Sequence, residues 1–138
     1  MKSSFFRGTV YVHVLPDTKI LVDGRLVELG REYKASPRYL REIFGKRIQT
    51  DRPVGCAYGM HALDTGDQWV WNYPNAGAWI CVVRVNTKVE RLPGKVVGLR
   101  RKVVAWRQVM SSAQAELLIE MNPEQVIKWV YAGGEVAR

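Results

Sequence analysis

The feature that most constrains the fold is a nearly continuous apolar run, Trp79–Val85, that is bounded by turn-forming residues. Such a run is typical of a central strand that is buried within a sheet. A second segment, Thr9–Leu15, alternates valines with Tyr11 and His13, and this period of two predicts another strand. The chain is therefore expected to fold around a β-sheet.

Turn signals predict how further strands are connected. Asp23-Gly24 separates Lys19–Val22 from Arg25–Leu29 and predicts a hairpin with a two-residue type I′ turn. Pro93-Gly94 predicts a turn in a run of further strands or a hairpin. The remaining extended segments are Cys56–Leu63, Val89–Leu92, Lys95–Leu99 and Lys102–Val109.

Capping residues predict the helices. Ser36-Pro37 opens a helix over Arg38–Phe44, and Asp64 is a candidate cap for a short helix over Thr65–Tyr73. Near the C-terminus, Ser111 and Gln114 form a capping-box pattern, followed by an apolar stripe of Leu117, Leu118 and Met121. Asn122-Pro123 then starts a last helix, with Gln125 at its third position and an apolar face of Val126, Trp129 and Val130.

These elements predict an α+β fold: a mostly antiparallel sheet, a helix after the first hairpin, and two C-terminal helices packed on the sheet. At 138 residues the chain is the size of a single domain. We expect a β-rich core over residues 1–109, a helical pair over 110–132, and a frayed tail over 133–138.

The positive charge is concentrated in one segment. Of the formal net charge of +8, residues 84–107 contribute +7, from eight cations and Glu90 alone as an anion. A local excess of this kind is typical of a surface that meets nucleic acid or an acidic protein, although edge strands also use such charges to stay soluble. Arginine outnumbers lysine, and amide residues are few, which favours a heat-adapted protein.

Several classes of protein are disfavoured by the sequence. No apolar run approaches the length of a membrane helix and no signal peptide is recognisable, so a cytoplasmic location is expected. The two cysteines and two histidines lack metal-site spacing, so we predict buried thiols, with a Cys2His2 site of Cys56, Cys81, His13 and His61 as the alternative. Common catalytic motifs are absent, and neither a cofactor nor a small-molecule substrate is predicted. Asp64 and Asp67 near His61 are the one acid–base cluster, and helix capping explains them better.

Residues 9–107 resemble an uncharacterised domain of bacteriophages. The resemblance rests on Gly59-Met60-His61-Ala62, an aromatic segment, the apolar strand around Cys81-Val82-Val83-Arg84-Val85, and the basic run that ends at Trp106. The chain departs from that pattern at Pro93-Gly94, where the domain carries acidic residues. The same order of motifs is loosely similar to ADP-ribosyltransferases, which implies His13, His61 and Glu90 as the matching positions and an enzymatic alternative.

The main functional hypothesis is binding. The composition and the phage-like pattern resemble thermophilic-phage inhibitors of host RNA polymerase, and this implies a host-takeover protein that inhibits or redirects an acidic host complex. Direct binding of DNA or RNA is the alternative, with exposed tryptophans as stacking platforms. Trp79, Trp106 and Trp129 fit a core better, whereas Trp69 or Trp71 is expected to be exposed. The predicted partner-binding residues are Arg38, Arg41, Trp69, Arg84, Arg91, Lys95, Arg100, Arg101, Lys102 and Arg107.

Overall fold

The computed structural model describes residues 10–21, 24–34, 60–63, 74–85, 89–92, 95–98 and 100–138. Within these residues the strands form one antiparallel sheet on which two helices pack, so the predicted α+β class is confirmed. The predicted helices at Arg38–Phe44 and Thr65–Tyr73 lie outside the described residues.

The sheet has eight strands among the described residues, in the order β2-β7-β4-β1-β3-β6-β5, with β8 paired to β7 beside this path. The strand β4 lies between β7 and β1, which agrees with the central position that its apolar sequence predicts. The strands are β1 (Val10–Leu15), β2 (Glu32–Lys34), β3 (Met60–Leu63), β4 (Trp79–Val85), β5 (Val89–Leu92), β6 (Lys95–Gly98), β7 (Arg100–Gln108) and β8 (Glu135–Val136). The helices are α1 (Ser112–Ile119) and α2 (Pro123–Gly133).

Apolar layers cover both faces of the central strands. The helix-side core joins Ile80 and Val82 of β4 to buried residues of both helices, namely Ala115, Leu118, Val126 and Val130. The hairpin-side core lies on the other face and contains Tyr11, Leu15, Val27, Tyr33, Cys81, Val83, Val85, Val103 and Trp106. Because successive side chains of a strand point to opposite faces, the valine-rich sequence of β4 supplies both cores.

A β-bulge on β7 sets which of its side chains face each core. Val82 pairs with Ala105 and Val83 pairs with Val103, so Val104 is an extra residue on β7. Residues three positions apart on a regular strand face opposite sides, yet the bulge brings both Val103 and Trp106 to the hairpin-side core. The side chains of β7 therefore alternate between the two faces in one phase before Val104 and in the opposite phase after it.

The first predicted hairpin has the expected position but a different closing pair. Ile20 and Leu26 form an isolated antiparallel bridge, and the Leu21 amide donates to the Arg25 carbonyl at 2.8 Å. Three residues therefore separate the closing pair, where the sequence predicted a two-residue turn. Gly24 has a φ of 91°, which suits the left-handed position of a three-residue hairpin loop. The later hairpin is confirmed, because β5 and β6 pair from Leu92 and Lys95 outward.

Both C-terminal helices begin at the capping residues that the sequence predicted, Ser111 and Asn122. In α2 the capping box is complete, with Asn122 and Gln125 each accepting the other's backbone amide at 2.9 Å. In α1 the Ser111 hydroxyl accepts from the Gln114 amide, but the Gln114 side chain accepts from Met110 instead of Ser111. The predicted box is therefore only half formed at this helix.

Two predictions at the C-terminus are wrong. Leu117 was placed on the buried stripe of α1, but it is 63% exposed because Ala115 and Leu118 are the residues that face the sheet. The expected frayed tail contains β8, in which Glu135 pairs with Trp106 and Val136 pairs with Ala105. The local sequence of this segment gives no sign of pairing, because the partner strand lies about 30 residues earlier.

Candidate partner-binding surface

Four cations from three strands share one face of the sheet. Lys102 pairs directly with Arg84 on one side and with Glu32 on the other, while Lys34 pairs with Arg100. Residues that are directly opposite, or two apart on one strand, project to the same face. We call Lys34, Arg84, Arg100 and Lys102 the basic patch, and Glu32 lies within it.

The basic patch lies beyond the end of the helical layer. On β4, Arg84 is two positions from Val82 and four from Ile80, so it faces the same side of the sheet as they do. The patch is therefore on the helix side of the sheet. The helices cover the other end, where α2 reaches Arg107 and Trp106 near the end of β7. Lys34 and Arg100 are exposed and Arg84 and Lys102 are half-buried, so the patch meets solvent.

The basic patch places like charges next to each other. Arg84 and Lys102 are like charges directly across neighbouring strands, an arrangement that destabilises a sheet. Glu32 offsets part of this, since its Oε1 lies 3.8 Å from Nη1 of Arg100, but both side chains are about half exposed and such pairs contribute little. The four cations and Glu32 together leave a net positive charge on this face.

Arg101, predicted to bind a partner, is inside the protein. It is 2% exposed and lies on the hairpin side, between Tyr33 of β2 and Val85 of β4. Its neighbour Cys81 is also buried, and desolvation raises the pKa of that thiol to about 12, while the charges of Arg101 and Lys19 pull it in the opposite direction. The alternation of β7 separates Arg101 from Arg100 and Lys102, which the sequence had grouped together.

Arg107 is held by the last helix. Its Nη1 donates to the carbonyl of Trp129 at 2.9 Å, and its Cζ lies 4.2 Å from the centroid of that indole ring. This cation–π contact and hydrogen bond attach α2 to β7. Arg107 is therefore committed to packing within the fold, some distance along β7 from the patch.

Arg91 and Lys95 lie in a different part of the sheet. They belong to β5 and β6, and β6 is four strands away from β7 in the sheet order. With about 4.8 Å between strands, this corresponds to a separation of about 19 Å. The basic segment 84–107 is thus divided between two regions and does not form one continuous surface.

The tryptophans of the described residues are engaged in packing. The rings of Trp79 and Trp106 are 5.2 Å apart, and the ammonium group of Lys19 lies 4.0 Å and 4.3 Å from their centroids. Nε1 of Trp106 donates to Glu135 at 3.3 Å. The predicted core placement of Trp106 is confirmed, since it is 5% exposed. Arg38, Arg41, Trp69 and Trp71 lie outside the described residues.

A scan against known protein families found no match for this chain, and comparisons with curated proteins and with solved structures found none either.

The positions suggested for catalysis are spread over several strands. His13 pairs with Cys81 across β1 and β4, but a thiol with a pKa of about 12 is not a nucleophile at neutral pH. Val97 pairs with His61 on one side and with Glu90 on the other, so β6 lies between these two residues in the sheet. Within the described ranges no three His, Cys, Asp or Glu residues are grouped as metal ligands. In the same residues no helix is long and apolar enough to cross a membrane.

Two residues of the patch were missed by sequence reasoning. Glu32 and Lys34 flank Tyr33 on β2, and Tyr33 is buried with its hydroxyl donating to the Leu26 carbonyl at 2.8 Å. The polar–aromatic–polar alternation over residues 32–34 is a weak strand signal that could have identified β2. Its position beside Arg100 and Lys102 depends on pairing across about 70 residues, which no local pattern reveals.

Proposed function

We propose that this protein works by binding an acidic protein surface through the basic patch, without chemistry on its partner. The observation that carries this proposal is the register of β2, β7 and β4, which aligns Lys34, Arg100, Lys102 and Arg84 on one face. Charges of one sign on a shared face steer an oppositely charged partner and raise its association rate.

An acidic protein fits this surface better than single-stranded nucleic acid. Proteins that hold single strands combine cations with exposed aromatic rings for stacking. Among the tryptophans that the structure describes, Trp79 and Trp106 lie against Lys19 and Trp129 lies against Arg107, so these rings already have partners inside the fold. The carboxylate of Glu32, within the patch, would repel a phosphate backbone.

Host RNA polymerase is the first partner to test. The proposal follows from the basic charge and from the resemblance of the chain to phage proteins that inhibit this acidic enzyme. The mechanism would be steric and electrostatic: the patch positions the protein over an acidic region, and the bound protein then inhibits or redirects transcription.

The decisive experiment compares two double variants with equal loss of charge. Arg100→Ala with Lys102→Ala removes two cations from the patch, and Lys128→Ala with Arg138→Ala removes two exposed cations elsewhere. Association with purified bacterial RNA polymerase is measured by biolayer interferometry over a range of salt. We expect the patch variant to associate at least about tenfold more slowly at low salt, and the control to behave as the wild type.

Equal binding by both variants would show that the patch is not the interface. A DNA or RNA gel shift with the same variants tests the alternative, in which log K falls by about 0.9 per phosphate contact as log salt rises. If the gel shift depends on Arg100 and Lys102 and the protein does not bind polymerase, the partner of the patch is nucleic acid and not an acidic protein.

A further inference from the structure

The outer face of α1 exposes apolar side chains to solvent. Leu117 is 63% exposed, and Met110, just before the helix, is 72% exposed. Ala113, Glu116, Leu117 and Glu120 follow the i, i+3, i+4, i+7 spacing of one helical face, opposite to the buried Ala115 and Leu118. With Ile119 these four residues line a shallow groove of about 600 Å³, which we call the α1 groove.

The charge of the α1 groove is opposite to that of the basic patch. Glu116 and Glu120 lie next to each other on this face beside Leu117, and both are exposed. Residues 108–138 together carry a net charge of −2, whereas residues 84–107 carry +7. The α1 groove is therefore acidic and partly apolar, and the basic patch carries the opposite charge.

The groove and the patch of one chain are too far apart to meet. The patch contains Arg100 and Lys102 at the start of β7, and α1 begins only after Gln108 at its end. A strand of this length spans about 26 Å at about 3.3 Å per residue. Contact between these complementary surfaces therefore requires two molecules.

We propose that the α1 groove is the docking site for the basic patch of a second copy of this chain. In this arrangement Arg100 and Lys102 of one copy face Glu116 and Glu120 of the next. Val10, half-buried beside Arg84 on the patch, supplies an apolar contact for Leu117. The interface joins two different surfaces, so it is head-to-tail and leaves a groove and a patch open at the two ends.

This arrangement also regulates the patch. A copy whose patch lies in a neighbour's groove cannot use that patch for another acidic surface, so self-association competes with the proposed partner. The contact is small and charged, and we expect it to be weak and strongly dependent on salt. The regulatory consequence rests on the proposed function, whereas the self-association itself does not.

The test is a charge exchange measured by sedimentation equilibrium. A groove variant carries Glu116→Lys and Glu120→Lys, and a patch variant carries Arg100→Glu and Lys102→Glu. The wild type is expected to show a mass that rises with concentration at about 0.02 M NaCl and returns to that of one chain at about 0.5 M NaCl. Each variant alone should remain monomeric, and an equimolar mixture should associate, because the exchanged charges are complementary again.

A control variant with Glu28→Lys and Glu124→Lys makes the same change of charge away from the groove and should associate more strongly than the groove variant. Circular dichroism verifies that every variant is folded. A wild type that stays monomeric at low salt, or a mixture that fails to associate, overturns the inference. The groove variant keeps the patch, so its binding to RNA polymerase distinguishes failure of this inference from failure of the proposed function.

Discussion

Lys19 has a backbone conformation that lysine rarely adopts. Its φ is 61°, in the left-handed region that costs an L-residue about 1–2 kcal/mol. The conformation closes the turn after β1, in which the Lys19 amide donates to the Pro16 carbonyl at 2.9 Å. It also brings the ammonium group over the rings of Trp79 and Trp106. The contact with two rings offsets the strain in the backbone.

This balance predicts different outcomes for two substitutions of Lys19. Lys19→Met keeps the strain and loses the cation–π contact, so it should lower the free energy of unfolding by about 1–2 kcal/mol. Lys19→Gly loses the same contact but relieves the backbone, so its stability should lie closer to that of the wild type. Urea denaturation followed by tryptophan fluorescence measures both. A methionine variant as stable as the wild type would contradict the role of the ammonium group.

Cys81 predicts how stability changes at alkaline pH. Burial raises the pKa of its thiol from 9.0 to about 12, so the unfolded chain loses this proton at lower pH than the folded protein does. The stabilisation is complete below pH 9 and is lost as the pH rises from 9 towards 12. The free energy of unfolding should fall by up to about 1.4 kcal/mol per pH unit in this range.

A variant with Cys56→Ser isolates the contribution of Cys81, and Cys81→Ala in the same background removes it. Denaturation at several pH values should show the steeper decline only where Cys81 is present. The thiol donates to the Trp79 carbonyl in the interior, and a disulfide reagent at pH 8 should modify it only in denaturant. Rapid modification of the native protein would show that the site is accessible.

At the scale of elements, the end of α2 depends on glycine. A Cβ at Gly134 would lie 2.2 Å from the Trp106 carbonyl oxygen and 2.6 Å from that of Val130, so the helix end and β7 approach too closely for any side chain. At Gly133 the three atoms nearest to a Cβ all belong to the Arg107 side chain, the closest at 2.5 Å. The backbone contact at Gly134 cannot yield easily, whereas at Gly133 the Arg107 side chain can shift, at the expense of its contact with Trp129.

Gly134→Ala should therefore lower the free energy of unfolding by about 2 kcal/mol or more and weaken the pairing of β8 with β7. Gly133→Ala is the matched control, and its cost should be smaller because alanine also favours the last turn of the helix. Thermal denaturation of both variants provides the measurement. Equal losses of stability in the two variants would argue against the close approach of backbone atoms at Gly134.

The elements that the sequence predicts well are those with local signals. Alternation identifies β1, a short apolar run identifies β4, and Asn122-Pro123 identifies the start of α2. Each of these signals arises from residues within one turn or one strand, where backbone preferences and capping act directly. The same reasoning locates the β5–β6 hairpin, whose turn joins neighbouring segments.

The elements that sequence reasoning misses depend on distant partners. The strands β2 and β8 are short and polar, and each is stabilised by pairing with a different part of β7. The burial of Arg101 follows from the alternation of side chains along β7, because its neighbours Arg100 and Lys102 face the other side of the sheet. Charge counted along the chain locates the basic segment, but only the register shows which cations form the patch.

At the scale of the whole molecule, the net charge of +8 predicts how salt affects stability. A net charge of this size destabilises the compact state by self-repulsion, and added salt screens that repulsion. The melting temperature at pH 7 should rise by a few degrees as NaCl increases from about 0.02 to about 0.2 M. The effect should shrink towards the isoelectric point of about 9.8. A melting temperature that falls with salt would show that attractive ion pairs dominate instead.

The order of strands in the sheet has a consequence for the speed of folding. Val10 pairs with Arg84, and Glu32 pairs with Lys102, each across about 70 residues of chain. Such distant pairings must close long loops before any stabilisation is gained, and they place a domain among the slow folders, on a timescale of milliseconds to seconds. The β5–β6 hairpin and the two helices need only local contacts and can form within microseconds. The late step is therefore expected to be the joining of β1 and β7 to β4 and of β2 to β7, the step that brings the cations of the patch together.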